Sequence, residues 1–501
     1  MADTASLLLS FPSDDTPRPE DLTTFAAERD YDQQITNYIS KLSRLPAREF
    51  TKLHGDKDML DLLEPSMNSV AYLNGLLAHA EAALKSKTLS SELWTRIILF
   101  CNTFDPIQIR YVGQNFNNLI KYMRHFAVEM GAGAHAVEPM RNALLRVDPS
   151  SSTLTTSHIH FVELCIDAGT FRAALPVIDK DIASFPGDTI KNVDDQQALC
   201  HGFEVSAGYV TQKSGFSDKL ELRLVTSYYL LCAHIYTGLR KYERARLFLE
   251  HVLVTPTNQC HHAHMLEAYK KWLLVGLLFQ GKVFAIPKSV DGQALKAIRS
   301  LSRSYEAVVK AFRERDRRRL EAEIDVAGDS WQKDGNRGLI DQVDRSLMLF
   351  RVKDLEDTYS ALPVSRVAKH IGLPQDATIS FLTQTIKKGQ LSASISELAE
   401  ATANGTTTPT PVLRFHTSAS AIRPIDEDAE MAAQQARIEE LAAHVREASR
   451  RIALSKEYMD HQRRNKKADG GGSLAEDMEW DAPAQPSIRN DTEDEDMMAD
   501  L

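Results

Sequence analysis

LLCAHIYTGLRKYERARLFLEHVLVTPTNQCHHAHMLEAYKKWLLVGLLFQGK, residues 230–282, decides the fold. It reads as a row of amphipathic helices joined by short turns. No catalytic constellation lies in it. A shorter stretch upstream repeats its central turn: Gly169, Phe171 and Ala174 in AGTFRAAL recur as Gly238, Tyr242 and Ala245 in TGLRKYERA, with two residues inserted in the second turn. A glycine, an aromatic and an alanine in this order suit a helical hairpin of the tetratricopeptide type. The glycine is expected to close the first helix in a left-handed conformation, the aromatic to dock between the pair, and the alanine to permit close approach. Leu249 and Pro256 extend the second unit.

Working outward, the first half of the chain shows helix after helix and no strand pattern. Ser90 and Ser91 are candidate N-caps for a helix that places Leu93, Ile97 and Phe100 on one face. At 501 residues the chain exceeds one ordinary hydrophobic core, so several domains or an elongated array are expected. With 43% apolar residues most of it can fold. The net charge of -10 owes much to Asp491, Glu493, Asp494, Glu495 and Asp496 near the end, so the globular part is nearly balanced, which disfavours nucleic acid. Cys101, Cys165, Cys200, Cys232 and Cys260 are scattered and never in a C-x-x-C pair, the usage of a reducing compartment. The apolar patch Leu7 to Phe11 follows Asp3 rather than basic residues and is too short for a signal-peptide core. The stretch Trp272 to Ile286 is interrupted by Gln280 and Lys282 and falls short of the ~20 residues of a membrane helix. A soluble, intracellular protein without membrane contact is expected.

The character changes after Leu349. In TYSALPVSRVAKHIGL a short extended piece leads through Pro363 into a helix with Val367, Ile371 and Leu373 apolar. A second helix, Asp376 to Lys388, places Ile379, Leu382 and Ile386 on one face and ends at Gly389. Gln390 to Ser396 alternates as a strand, Val412 to His416 offers its partner, and Glu397 to Pro411 reads as a polar, Thr-rich loop inserted between them. Two short helices and a hairpin make a winged helix. Beyond it Ile438, Leu441, Val445, Ala448, Ile452, Ser455 and Met459 recur in alternating steps of three and four, the seam of a coiled coil or bundle helix. Such a seam needs partner helices. From Lys466 onward, glycines, acids and prolines read as a disordered tail.

Several motifs resemble chemistry and fail on the residues that chemistry needs. In GLLFQGKV, Gly276 and Gly281 precede Lys282 with P-loop spacing, yet Val283 stands where a magnesium-binding hydroxyl belongs and Leu277 to Phe279 continue an apolar helix. Gly281 is expected to end that helix. Cys260, His261, His262 and His264 are dense but consecutive, and consecutive residues rarely converge on one ion. His158 and His160 form the H-x-H of JAMM metalloproteases, but Ala168 and Phe171 stand where the motif requires Ser and Asp. His160 is expected on a helix-packing surface. Arg313, Arg315, Arg317, Arg318 and Arg319 alternate with Glu314, Asp316, Glu321 and Glu323, so a solvated helix with local ion pairs is expected. Arg463, Arg464, Lys466 and Lys467 offer a short nuclear-import pattern. No catalytic, cofactor-binding or metal residue is assigned, and neither an enzyme nor a small-molecule substrate is expected.

Helical repeats, a winged helix and a bundle helix together resemble the PCI-domain family, which supplies scaffold subunits to the proteasome lid, translation initiation factor three and the constitutive photomorphogenesis nine signalosome. LLCAHIYTGL (230–239), YERA (242–245) and MLEAYKKWLLVGLLFQGKV (265–283) are similar to the subunit-three branch of the signalosome, with weaker similarity through Asn336 to Leu339 and the winged helix. The resemblance covers roughly residues 155 to 460 of the chain; the first third shares only helicity. It implies a non-catalytic scaffold in a hetero-oligomer with other PCI and JAMM subunits, the latter removing a ubiquitin-like modifier from cullins, and residence in cytoplasm and nucleus. It implies edge-to-edge contact of winged helices, here through Leu391, Ala393, Ile395, Leu413 and Phe415, and a bundle contact through Ile438, Leu441, Val445, Ile452 and Met459.

The expected architecture is mainly α. A right-handed, tetratricopeptide-like repeat array (1–205) leads into the helical part of a PCI domain (206–350), its winged helix (351–416), a C-terminal bundle helix (417–465) and a disordered acidic tail (466–501). Two alternatives remain open: a PCI scaffold of the proteasome lid or initiation complex, and a nucleic-acid-binding winged helix. The latter would read with helix Asp376 to Lys388, which offers only Lys387 and Lys388 as cations.

Overall fold

Side-chain caps and apolar spacing set the helices as the sequence implies. Ser90 accepts a hydrogen bond from the Leu93 amide and opens Ser91–Thr103, whose Leu93, Ile97 and Phe100 are buried. The computed structural model describes residues 2–12, 24–54, 57–86, 90–187, 198–256, 262–401, 407–416, 427–453 and 455–469. Cys260, His261 and the acidic tail from residue 470 lie outside them. The chain divides into two compact units, 1–449 and 450–501.

In chain order the helices that build the repeat part are α1 (Phe25–Leu42), α2 (Ser69–Ser86), α3 (Ser91–Thr103), α4 (Gly113–Glu129), α5 (Gly133–Val147), α6 (Thr156–Asp167), α7 (Phe171–Ile178), α8 (Leu222–Gly238), α9 (Tyr242–Val254) and α10 (Ala263–Gln280). They continue as α11 (Gly292–Leu301), α12 (Arg303–Arg313), α13 (Arg317–Val326), α14 (Gly328–Lys333) and α15 (Arg337–Glu356). One continuous apolar core runs from Leu8 to Phe350. Contrary to the expectation of helices alone, the first half also holds a pair of two-residue strands, Leu53–His54 and Lys57–Asp58.

Among the described residues one turn between helices recurs five times. Gly131, Gly169, Arg240, Arg315 and Gly335 all have φ between 55° and 66°, and each stands two residues before the next helix. In each, the amide that follows the left-handed residue bonds a carbonyl five positions back: Ala132 to Ala127 (3.0 Å), Thr170 to Cys165 (2.9 Å), Lys241 to Tyr236 (2.9 Å), Asp316 to Ala311 (3.2 Å) and Asn336 to Trp331 (2.9 Å). This is the Schellman closure of a helix C-terminus. It corrects the expected role of Gly238, which remains helical while Arg240 takes the left-handed position. Gly238 instead gives room to the preceding unit, since a Cβ there would stand 2.8 Å from the Phe171 ring. The aromatic of one repeat thus docks on the glycine of the next.

The helix α15 belongs to two cores. Ile340, Val343, Leu347 and Phe350 face the repeats, whereas Val352 enters a second core with Leu362, Val364, Val367, Ile371, Leu382, Leu391, Ala393 and Leu413. The boundary expected at 350/351 therefore cuts through a continuous helix. Arg315 braces it: from its left-handed turn it makes two bonds to Asp354 (2.7 and 3.1 Å), one to the Gly281 carbonyl (3.2 Å), and lies over the Phe312 and Phe350 rings. The local pairs expected of this arginine run are Arg317 with Glu321 and Arg319 with Glu314, but the Arg315 partner is 39 residues away.

The second core is the winged helix. Strand β1 (Ala361–Pro363) leads into α16 (Val364–Ile371) and α17 (Gln375–Lys387), followed by β2 (Ala393–Ala401) and β3 (Thr407–Phe415). The sheet is antiparallel in the order β1-β3-β2. The Thr-rich stretch expected to be a loop is largely strand: positions 397–401 pair with 411–407, extending the hairpin well past the core. A polar segment of Thr and Glu satisfies a ladder as well as an apolar one, and polarity alone misread it. Finally α18 (Glu427–Ala453) and α19 (Lys456–Asp469) carry the seam. Among the described residues no helix is long and apolar enough to cross a membrane.

Candidate subunit-contact surfaces

The residues expected at the winged-helix edge divide by strand position. Leu391, Ala393 and Leu413 are buried in the second core, and Ile395 and Phe415 pack partly buried against it. Alternation along β2 and β3 turns these side chains inward, so any contact along this edge is made by main chain. The assignment of Leu413 and Phe415 to an edge is corrected outright. Strand β3 is the middle strand: Leu413 pairs with Ile395 on one side and Leu362 on the other, and the Phe415 amide donates to the Ser360 carbonyl at 2.9 Å. Its backbone over 412–415 has no free side. The sequence shows the extended Ala361–Pro363 but not that it docks on β3, which is what moves β3 to the centre.

The seam residues present the opposite case. Ile438, Leu441, Val445 and Ile452 lie on α18 and are 66%, 50%, 63% and 58% exposed. Two exposed ion pairs tie this helix to the repeats, Arg437 with Asp181 (2.6 Å) and Arg446 with Glu204 (3.0 Å), and pairs of this kind contribute little. Met459 stands on α19. The unbroken seam expected from Ile438 to Met459 is therefore interrupted, because the Ser455 hydroxyl accepts the Tyr458 amide (3.3 Å) and opens a new helix instead of filling a seam position.

The motifs set aside in sequence occupy structural places. Gly281 ends α10 with φ +70°, and a Cβ there would stand 2.4 Å from Phe350. His158 is buried; its Nδ1 accepts the Thr155 amide (3.2 Å) and meets the Thr155 hydroxyl (2.8 Å), forming a capping box for α6. Burial drives its pKa down to about 4, against the opposing pull of Asp148, so the ring is neutral. His160 is half-buried between Arg124 and Glu163. His264 bonds Thr226 (3.0 Å), and burial lowers its pKa. Among the described residues no three His, Cys, Asp or Glu side chains converge to hold a metal.

A groove of about 770 Å³ lies where α15, α17 and the α8–α9 turn meet, lined by Arg240, Tyr242, Asp344, Arg345, Phe381 and Lys388 among others. Burial raises the Asp344 carboxyl, with Glu321 adding to the rise. The groove's Ser346 donates its hydroxyl to the Val343 carbonyl (2.8 Å). Deeper, Lys271 is buried and bonds Asn336 (2.7 Å), which reaches Tyr305 (2.8 Å) and through it Asp334 (2.7 Å). Desolvation lowers the Lys271 pKa, and this chain of bonds joins α10 to α12 and the turn before α15.

A helical array followed by a winged helix narrows the possible relatives. The sequence model of the family described as COP9 signalosome complex subunit 3, N-terminal helical repeats, matches residues 29–292, more than half of the chain. The chain belongs to the COP9 signalosome subunit 3 family. The model of the PCI domain matches residues 326–401, from α13 through β2. Relatives agree along nearly the whole length. The chain is 29% identical over 511 residues to the COP9 signalosome complex subunit 3 of Emericella nidulans, covering 96% of this chain and all of that protein. To the subunit 3 of Neurospora crassa it is 26% identical over 417 residues, covering 81% of this chain and 82% of the other. The family match reaches back to residue 29, so the first third, which in sequence shares only helicity, is part of it.

Proposed function

We propose that this chain is a non-catalytic scaffold subunit of the signalosome, the complex that removes a ubiquitin-like modifier from cullins and so regulates cullin-RING ubiquitin ligases. The observation that carries this reading is the agreement with subunit 3 relatives over repeats and PCI domain together. The exposed seam on α18 supports it, because four large apolar side chains on one helix stay wet unless another chain covers them. Other PCI and JAMM subunits are the proposed partners; membrane, nucleic acid and small-molecule substrates are not part of the reading.

Affinity purification of the tagged full-length chain from its native cells, with subunit identification, tests it. Recovery of PCI and JAMM proteins in a stable assembly is expected. Recovery of lid or initiation-factor subunits instead would move the chain to another PCI complex, and duplex DNA binding at physiological salt would favour the winged helix as a reader. Residence in both cytoplasm and nucleus is also proposed. Arg463 and Arg464, exposed on α19, make the import pattern testable by replacing both with alanine and measuring the nuclear fraction of a fluorescent fusion.

A further inference from the structure

The run SSTLTTSHI, residues 151–159, is buried throughout, although only Leu154 and Ile159 in it are apolar. Most of its polar groups find partners. Thr153 meets the Ser184 and Ser206 hydroxyls at 2.8 Å each, Ser152 meets Ser206 at 3.1 Å, and the Thr156 amide donates to the Ser217 hydroxyl at 3.1 Å. The His158 ring is the exception. Its Nδ1 accepts the Thr155 amide, so the proton of the neutral ring sits on Nε2. Nε2 is buried and has no hydrogen-bond partner among the described residues. Native folds rarely leave a buried donor unpaired.

A cavity of about 20 Å³ borders this ring, and every residue that lines it is buried. Its wall is apolar at Phe116 of α4, Leu144 of α5 and Phe216 of the connector before α8, and polar at Asp148, Ser157 and His158. The volume suits the roughly 10–15 Å³ that a single water requires, with little to spare. The polar wall offers acceptors as well as the ring donor. On Asp148, Oδ1 already takes the Ser150 amide (3.1 Å) and hydroxyl (2.6 Å), whereas Oδ2 takes only a long bond from the Thr153 amide (3.4 Å) and has capacity for another. The Ser157 hydroxyl makes only a 3.4 Å bond to Asn117. A metal cation would be repelled by the ring N–H and an anion by the Asp148 carboxylate. An apolar occupant would leave the ring N–H unpaired. Water accepts at one end and donates at the other.

We infer that the repeat core is a binding site for one ordered water in this cavity, which accepts the His158 Nε2–H and donates to Asp148 Oδ2 and to the Ser157 hydroxyl. Three partners are the usual complement of a buried water. The water ties the first turn of α6 to the residue that ends α5, beside the connector that supplies Val210 and Phe216 to the same wall. It completes the polar run 151–159 and so belongs to the fold, independently of which complex the chain joins. The H-x-H pair that fails as a metal site thus divides its work: His160 meets Arg124 and Glu163, and His158 holds a water.

Nitrogen-15 spectra of the histidine-labelled full chain at pH 7 test it, with His158→Gln identifying the His158 signals. The ring should read as the Nε2–H tautomer. Its ring proton should stay visible, sheltered from exchange, while that of the exposed His125 is lost to bulk water. It should also show a direct cross-relaxation peak to water, with the sign of a long-lived bound molecule. A crystal structure of the wild-type chain at high resolution, alone or in its complex, should show one water about 3 Å from Nε2 and within reach of Asp148 Oδ2. This second readout separates a water from a signal relayed through the Ser157 hydroxyl. The Nδ1–H tautomer, a sheltered ring proton with no water peak, or a crystal in which Nε2 donates directly to a protein oxygen overturns the inference. So does a dry cavity in well-ordered density.

Discussion

Helices α3 and α18 both carry apolar residues at helical spacing, and the two meet opposite fates. Leu93, Ile97 and Phe100 of α3 are buried by their own chain, whereas Ile438, Leu441, Val445 and Ile452 of α18 face water. Periodicity says that a face will be covered; it does not say by whom. What separates the two is continuity. Around α3, helices follow at short intervals and each supplies the next with a surface, while α18 touches the repeats through two exposed ion pairs. Apolar area in the repeats thus stabilises the fold, and in α18 it stays exposed.

The contrast can be broken most severely from the repeat side. Trp331 is fully buried, stands edge-on to Tyr305 at 4.7 Å between ring centroids and donates its Nε1–H to Ile324 (2.9 Å), so Trp331→Ala should cost about 4 kcal/mol in denaturant unfolding of the full chain. Gly281→Ala should cost about 3 kcal/mol, since the residue is left-handed and the new methyl meets Phe350 in the core that α15 shares.

Acid acts on the repeats next. The neutral His158 has its pKa lowered to about 4, below the ordinary 6.5, so the unfolded chain binds more protons between those values. Stability from this group is present above about pH 6.5 and is lost as pH falls toward 4, at about 1.4 kcal/mol per unit. Unfolding at pH 7 and pH 5 should therefore differ by about 2 kcal/mol from this residue, and His158→Gln, which keeps an acceptor for the Thr155 amide, should remove that part of the slope. A smaller change has the opposite sign: Arg240→Gly should gain about 0.5 kcal/mol in thermal or denaturant unfolding, because glycine holds φ 59° without strain.

Smallest for folding is the seam. Leu441→Asp with Ile452→Asp should leave unfolding of the isolated chain within about 0.5 kcal/mol of wild type, yet strip it from its complex in affinity purification. Large destabilisation of the isolated chain, or intact co-assembly, would show that α18 is covered by its own chain after all.

The sequence disclosed most where one residue suffices for a local job: Ser90 as cap, Gly281 as stop, Pro363 as entry to a helix. It disclosed less where distant segments complete the environment. Arginine at a left-handed position gives no local signal, and Arg315 is held there by Asp354, Gly281 and two aromatic rings from elsewhere in the chain. Two of the five repeat turns were hidden for this reason, and Gly238 drew the role that belongs to Arg240. The winged helix and the seam were legible, but the strand order was not: three residues of β1, docking on β3, decide which strand lies in the middle of the sheet. The break in the seam was concealed because Ser455 satisfies the spacing while capping a new helix.

Because Phe350 and Val352 sit two residues apart on α15, about 200° around its axis, and enter different cores, this helix works as a threaded shaft between repeats and winged helix. The two ends are geared by helical phase. One residue inserted between these positions would rotate the sheet by about 100° and advance it roughly 1.5 Å along the axis. The direction in which the three-stranded sheet faces is thus set by a count of residues in a helix outside the sheet.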